Sequence, residues 1–386
     1  MPVNNSSFQK NSNISLIART IWKHKQISRV DLSRELGLYR STVTNITSFL
    51  IEKGLVIEGE ALSSNSKGGR RAITLSLNRD FGCVFGVDMQ PSHIRMTILS
   101  ITGETLWSLS EDLEEGNSIL DIARNTMKRA LEEREKLGIP LLAAAFSIPG
   151  VIDSNRGTIL YSWPFHCRDV EVKKTIEEEF GYPVYVENDA NAAGWYAVNS
   201  GILKEDDNAL AIVGDYHNES EEVGVGVGFA TIINGNVYQG SHNAAGEFVS
   251  LSWKPGSNDQ SGLDKEILMT PKVDEASWEA WMDDTFRSIV PLLAIMDFRK
   301  VLLYGEPFMD KEKVETFFRE KLPQFATVLE KTYCTLEIES QIENVSALGA
   351  GLMCLQNLFT VPSLEESGED FSSHWDDIIA LSAKQR

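Results

Sequence analysis

From Ile14 onward, the apolar positions Ile14, Ile17, Ala18, Ile21 and Trp22 recur at the spacing of a helix with one buried face. Ser28, Arg29, Val30 and Asp31 have the arrangement of a capping box, and Leu32 and Leu36 mark a short second helix that Gly37 ends. Ser41 or Thr42 then opens a third helix in which Val43, Ile46 and Leu50 point inward. Arg40, Ser41, Thr44, Asn45 and Ser48 are left to face outward, with Thr42 beside them. After Leu55, Val56 and Ile57 a Ser/Asn/Gly-rich loop, 62–69, leads through Arg70 and Arg71 into an alternating run, 72–77, that reads as a strand. Three helices and two strands joined by a basic loop predict a winged helix-turn-helix. Small polar side chains and one Arg on its third helix suit the major groove of double-stranded DNA.

A three-helix protein-interaction module carries the same pattern, so charge bears on the choice. Residues 1–80 hold 12 Lys and Arg against 6 Asp and Glu, whereas the remaining residues hold 24 against 50. Only the N-terminal module can approach phosphate favourably, and the acidic remainder faces away from a duplex. The DNA contacts expected are Arg40, Ser41, Thr42, Thr44 and Asn45 on the third helix and Arg70 and Arg71 on the wing.

Beyond Asn78 the pattern changes to alternating strands and helices. Residues 83–88 form a short apolar run, and 94–100 with Gly103 and Leu106 predict antiparallel neighbours. Helical periodicity follows over Ile119–Leu137, then a buried strand over 141–147 stopped by Pro149 and Gly150. A second helix, Val172–Phe180, precedes a strand at 184–186. This order predicts an α/β body. At 386 residues and 42% hydrophobic composition the chain can bury substantial cores. It shows neither a secretory leader nor an apolar stretch of membrane-spanning length, and its four separated cysteines read as reduced thiols. The expectation is a cytoplasmic protein with no membrane partner.

A sugar presents a ring of hydroxyls, so its site needs carboxylates and amides on fixed backbone. Glu187-Asn188-Asp189-Ala190-Asn191 offers these directly after a strand, where ligand sites of open α/β sheets gather. Ala244-Ala245-Gly246-Glu247 offers a second carboxylate beside a Gly that allows close backbone approach. Asp189 also fits a helix N-cap, and the two roles can coexist. Gly224, Gly226 and Gly228 read as a glycine-rich strand packed against a neighbour, and Asp88 as a strand-end residue open to metal or phosphate. Trp278, Trp281 and Phe286 read as core or a subunit interface, and Trp163 as cleft lining or core.

These segments together, 82–106, 147–153, 183–193 and 224–247, resemble the Repressor, ORF, Kinase (ROK) family of sugar kinases and sugar-responsive repressors. Gly68-Gly69-Arg70-Arg71 sits where the family's repressor branch carries its wing. The resemblance implies an actin-like (ribonuclease H-like) two-lobed sugar-kinase fold behind the winged helix-turn-helix, with the sugar in the cleft and assembly as homodimers or homotetramers. The domains expected are 1–80 for DNA binding, 81–196 for the first lobe, completed by 360–386, and 197–359 for the second lobe. By resemblance, Asn188 and Asp189 hold hydroxyls on one side of the ring, with Asp189 the general base in kinases, and Glu247 holds the other side.

The chain also departs from the kinase pattern. Where those enzymes carry a Gly-rich phosphate turn, this one has Asp88-Met89-Gln90-Pro91-Ser92, and Pro91 lacks an N–H. A hydroxyl is missing at Gly224-Val225-Gly226, and one Gly is missing near Gly305. The relatives' zinc-binding His is Ser250 here, and no cysteine lies between Cys167 and Cys334, so no metal or cofactor is expected. Ser250 and Asp264, the latter in place of a family Glu, complete the candidate effector site. The reading is a regulator, not an enzyme, that represses carbohydrate-utilisation genes and answers a sugar or sugar phosphate. The alternatives are a ROK-type sugar kinase, or a repressor controlled by a protein partner.

Overall fold

A computed structural model describes residues 5–61, 73–113, 116–204, 206–219, 222–257, 260–339, 344–360 and 374–386. The wing loop, 62–69, with Arg70 and Arg71 lies outside the described residues. The N-terminal module comprises α1 (Asn5–His24), β1 (Ile27–Ser28), α2 (Arg29–Glu35), α3 (Arg40–Glu52), β2 (Val56–Ala61) and β3 (Ile73–Leu77), its strands ordered β1-β3-β2. Ile14, Ile17, Ala18 and Ile21 are fully buried, as their spacing requires. Ser28 caps α2 by accepting from the Asp31 N–H at 3.2 Å. Helix α3 starts earlier than expected, at Arg40: the extended backbone of Tyr39 begins it, and no side-chain hydroxyl caps it.

The body repeats one arrangement twice. In the first lobe three antiparallel strands, β4 (Cys83–Met89), β5 (His93–Ser100) and β6 (Thr105–Asp112), are followed by α4 (Ile119–Leu137) and β7 (Leu141–Ile148). A small sheet of β8 (Val151–Asp153), β9 (Thr158–Ser162) and β10 (Cys167–Glu171) intervenes before α5 (Val172–Phe180), β11 (Val184–Asn188) and α6 (Asp189–Asn199). The five-stranded sheet runs β11-β7-β4-β5-β6, with β4, β7 and β11 parallel.

The second lobe begins with β12 (Ala209–Glu219), β13 (Glu222–Ile233) and β14 (Asn236–Val237), again antiparallel. It continues through α7 (Lys265–Leu268), α8 (Glu275–Met296), β15 (Lys300–Tyr304), α9 (Lys311–Glu320), α10 (Pro323–Lys331) and β16 (Thr335–Glu339). Its sheet runs β14-β13-β12-β15-β16. Trp278, Trp281 and Phe286 are buried in its core with Phe308, Phe317 and Phe318. Trp163 instead lies about half exposed at the turn after β9, against Tyr161. Among the described residues no helix is long and apolar enough to cross a membrane.

Two C-terminal helices return to the first lobe. α11 (Val345–Leu358), which the sequence placed in the second lobe, packs on β4, β7 and α6. Its apolar residues surround the whole helix, so periodicity could not say which lobe it joins; the glycines do. A Cβ on Gly86 would lie 2.2 Å from the Ala347 carbonyl oxygen, and one on Gly349 1.7 Å from that of Ala192. α12 (His374–Lys384) sits against β7 and α1: Trp375 Nε1 donates to Ser15 Oγ at 2.8 Å, and Ser382 Oγ to the Phe81 carbonyl at 2.7 Å. Phe359, just past α11, packs at a tilt near Trp22 of α1 at 5.2 Å and near Trp375 at 6.0 Å. The N-terminal module and the first lobe therefore share one hydrophobic core.

Because Gly349 lets α11 and α6 touch backbone to backbone, Gly349→Ala must push them apart. We expect it to lower stability by about 1–3 kcal/mol, read as a lower denaturation midpoint with an unchanged slope. A midpoint equal to that of the parent would mean the contact is not tight.

Candidate functional site

The parallel strands β4, β7 and β11 end side by side, and their register sets Asp88, Ser147 and Glu187 in a row across the sheet. Asp88 is buried and its Oδ1 accepts from Ser147 Oγ at 3.3 Å and from Gln90 Nε2 at 3.2 Å. The same Gln90 Nε2 lies 3.2 Å from Asp189 Oδ2, so one amide bridges two carboxylates. Gln90 opens the β4–β5 turn, which closes through its N–H to the His93 carbonyl at 2.9 Å with Pro91 and Ser92 at the tip. In the sequence Gln90 counted only as a lost glycine; folded, it is the link that holds Asp88 and Asp189 together.

Asn188, not Asp189, caps α6. Its Oδ1 accepts from the Asn191 N–H at 3.0 Å, and its Nδ2 donates to the Gly150 carbonyl at 3.0 Å. Asp189 is the first residue of the helix, with Oδ1 accepting from the Ala190 N–H at 2.9 Å. Glu187 is buried beneath them: its Oε1 accepts from Ser154 Oγ at 3.0 Å, the Asn188 N–H at 2.8 Å and Asn191 Nδ2 at 3.2 Å. Its Oε2 accepts from Gln239 Nε2 of the second lobe at 2.9 Å, a tie across the cleft.

A second tie crosses nearby. Arg95 on β5 lies 3.3 Å from Asp88 Oδ2 and 3.7 Å from Asp215 Oδ1, and Asp215 belongs to β12 of the other lobe. His93 Nε2 is 3.7 Å from Asp215 Oδ2 and has no hydrogen-bond partner, while its Nδ1 meets Ser92 Oγ at 3.1 Å. The sequence did not single out Arg95, Asp215 or Gln239, and it gave Glu187 and Gln90 no linking role of their own. A signal existed for two of them, since Arg95 and Asp215 are charges set among apolar strand residues.

Glu247 reaches the cleft from the loop after β14. Gly246 holds a positive φ of 97°, and a Cβ there would lie 2.0 Å from the Phe229 carbonyl oxygen, so only glycine lets the loop press onto β13. Ser250, which sequence analysis put in the effector site, is buried and tied into its own loop. Its hydroxyl meets that of Ser252 at 2.9 Å, and Ser252 Oγ accepts from the Gly262 N–H at 2.8 Å. Gln260 pairs with the Val227 backbone through both ends of its amide, at 3.1 and 2.7 Å. Hydroxyls and one amide thus hold the segment in which the family resemblance would place a zinc knot. Asp264 is exposed at the start of α7, outside this network.

Burial dominates the electrostatics. It lifts the Asp88 carboxyl to about 6 and that of Asp215 to about 7, against the opposing pull of Arg95. Glu187 and Asp189 are likewise raised by burial; Glu247, whose side chain stays open to solvent, is raised by partial desolvation and by the Asp189 charge. Burial, then Arg95, pushes His93 down to about 4, which leaves it neutral near pH 7.

On the N-terminal module Arg40, Ser41, Thr44, Asn45 and Ser48 are exposed and Thr42 is half-buried. Thr44 Oγ1 donates back to the Arg40 carbonyl at 2.8 Å. Thr47 is buried and accepts from Arg29 Nε at 3.0 Å, and Arg29 also pairs with Glu58 of β2 at 2.8 Å. The face of α3 offered to solvent is thus polar, and its base is fixed to the first wing strand.

Residues 84–251 match the model of the ROK family. The chain carries a ROK family domain. That domain contains Asp88, Gln90, Arg95, Glu187, Asn188, Asp189, Asp215, Glu247 and Ser250, while Asp264 and the α3 residues lie outside it. The chain is 30% identical over 254 residues to a putative xylose repressor of Caldicellulosiruptor sp. (strain Rt8B.4), covering 63% of this chain and 59% of that protein. It is 28% identical over 250 residues to the xylose repressor of Bacillus subtilis, covering 64% and 62%. With the DNA-binding transcriptional dual regulator NagC of Escherichia coli it shares 23% identity over 256 residues, covering 66% and 60%. The match therefore spans about three fifths of each relative's length. A ROK family transcriptional regulator, a homolog of the E. coli MLC protein, superposes with a TM-score of 0.71 at 17% identity, over 97% of this chain and 100% of that one. A ROK hexokinase from Thermus thermophilus gives 0.53 at 20% identity, over 70% and 97%. These likenesses place the ROK domain in the actin-like, two-lobed fold, with the helical N-terminal module ahead of it.

The Asp215 carboxyl holds its proton more tightly in the folded protein than in the unfolded chain. Its contribution to stability is full below about pH 4 and is lost as pH rises through about 7. Asp215→Asn should therefore gain melting temperature over the parent as pH goes from about 5 to 8. A difference that stayed flat, or fell, over that range would show that burial does not govern this carboxyl.

Proposed function

We propose that this chain is a sugar-responsive transcriptional regulator that represses carbohydrate-utilisation genes. Its operator lies on α3 and the wing, and its effector in the interlobe cleft. One observation carries the reading: an exposed polar face on α3 and a cleft of carboxylates and amides belong to molecular halves joined by a continuous core at Trp22, Phe359 and Trp375. Asp189 and Glu247 accept from effector hydroxyls, and Arg40 contacts base edges. Arg70 and Arg71 contact phosphate, and a homodimer or homotetramer in the cytoplasm sets the spacing of two half-sites. Relatives named as repressors support this assignment.

Phosphoryl transfer is the weaker reading. The turn after β4 is closed by Gln90 and carries Pro91, so the backbone there lacks an N–H that a phosphate would need. Gln90 also donates to the Asp189 carboxylate, which favours its charged form and weakens it as a base without removing it as a hydrogen-bond acceptor.

Operator binding titrated with a panel of sugars tests the assignment. Arg40→Ala should weaken binding to the operator, and Arg70→Ala or Arg71→Ala should weaken binding to any duplex. Each wing variant should flatten the salt dependence by about one unit per lost phosphate contact. Asp189→Ala should leave operator binding intact and cost roughly 1–3 kcal/mol, about ten- to a hundred-fold, in effector affinity. If no sugar alters operator binding in the parent protein, the cleft is not the sensor.

A further inference from the structure

The cleft that the proposed function assigns to an effector is poor in positive charge. Asp88, Asp189, Asp215 and Glu247 line it, with Glu187 beneath. Among the described residues Arg95 is the cation paired with them, and it is already shared: 3.3 Å from Asp88 and 3.7 Å from Asp215. Lys272 of the second lobe lies over the Tyr216 ring at 5.5 Å and is paired with Glu306 at 3.0 Å. His93 stands beside Asp215 without a hydrogen bond at Nε2. Among the described residues the cations near the cleft are thus already paired, and the acceptors it offers a ligand are carboxylate oxygens.

That inventory separates two chemical classes. An uncharged polyol donates its hydroxyl protons to carboxylates and gains from such a lining. A phosphate ester carries close to two negative charges at neutral pH, has no acidic proton to offer, and needs cationic or N–H donors. To find one here it must take Arg95 from both Asp88 and Asp215, and so open the tie between the lobes. Protonating some of these carboxyls lessens the repulsion but supplies no cation.

We propose that the Arg95–Asp215 pair makes the cleft selective for uncharged sugars and excludes their phosphate esters. This rests on the sugar-binding reading of the cleft and narrows it from sugars in general to the unphosphorylated class. Asp215 acts as the specificity-determining residue: it occupies the guanidinium that a phosphate requires and places a like charge beside it.

The test is calorimetric titration of the full chain with xylose, glucose and N-acetylglucosamine, each against its terminal phosphate ester. For the sugar that binds, the ester should bind at least about tenfold more weakly. Two further measurements separate charge from bulk. Raising salt from about 50 to 500 mM should narrow the ratio, because repulsion is screened and a steric clash is not. Asp215→Asn, nearly isosteric and checked for folding by its melting curve, should narrow it by about tenfold. An ester that binds the parent as tightly as its free sugar overturns the proposal and leaves the cleft assignment standing. A ratio unmoved by both salt and Asp215→Asn also overturns it, since exclusion would then be steric. If none of the sugars or esters binds, the cleft assignment falls and the proposal falls with it.

Discussion

The arrangement of the molecule depends on how closely one helix can approach its neighbours. α11 lies against β4 at Gly86 and against α6 at Gly349, where any side chain would meet backbone oxygen. At its start Ser346 Oγ donates to the Asp189 carbonyl at 3.0 Å, and past its end the Phe359 ring packs at a tilt against Trp22 and Trp375. Fourteen residues of helix span about 21 Å. The floor of the cleft and the root of the N-terminal module are therefore the two ends of one buried bar. A ligand that favoured one position of α6 would bias α11 with it, and packed interfaces of this kind settle into discrete arrangements rather than deform continuously.

The cleft itself is costly to maintain. Buried carboxylates lose hydration, and here hydrogen bonds from Gln90, Ser147, Asn191 and Gln239 offset only part of that loss. Two of the ties across the cleft, Glu187–Gln239 and Asp215–Arg95, are polar and not apolar. Polar ties of this sort can be exchanged for ligand hydroxyls without exposing a hydrophobic face. A site that concentrates unfavourable burial in one place is the usual mark of function over stability.

Local signals in the sequence were enough for much of the fold. α4 begins and ends where expected because its caps, Ser118 and Gly138, are written beside it, and α5 ends at Gly181 for the same reason. The strands of the first lobe follow from short apolar runs, whereas in the second lobe only the glycine-rich strand around Gly224, Gly226 and Gly228 stood out in the sequence. α3 began a turn edge earlier than its hydroxyls suggested, because extended backbone at Tyr39 sufficed. The lobe to which α11 belongs was hidden, since a helix apolar all round shows no preferred face. Asn188 and Asp189 could be singled out from their place after a strand. The partners that fix them could not, because Gln90 lies 99 residues from Asp189, and Asp215 lies in the other lobe. Pairings at such separations are set by the folded topology.

The joint among Trp22, Phe359 and Trp375 also bears on how such a protein can be rebuilt. A DNA-reading module hung on a tether can be exchanged for another with little regard for the body behind it. Here Ile14, Ile17 and Ile21 of α1 share one core with Leu99, Leu355 and Trp375, so the module has no complete interior of its own. A transplanted reader would have to bring a first helix shaped to this body, with an equivalent of Ser15 to satisfy the buried indole N–H of Trp375. On the proposed reading, changes of operator are thus more accessible through the few exposed positions of α3 than through exchange of the whole module, and the two halves are constrained to diverge as one unit.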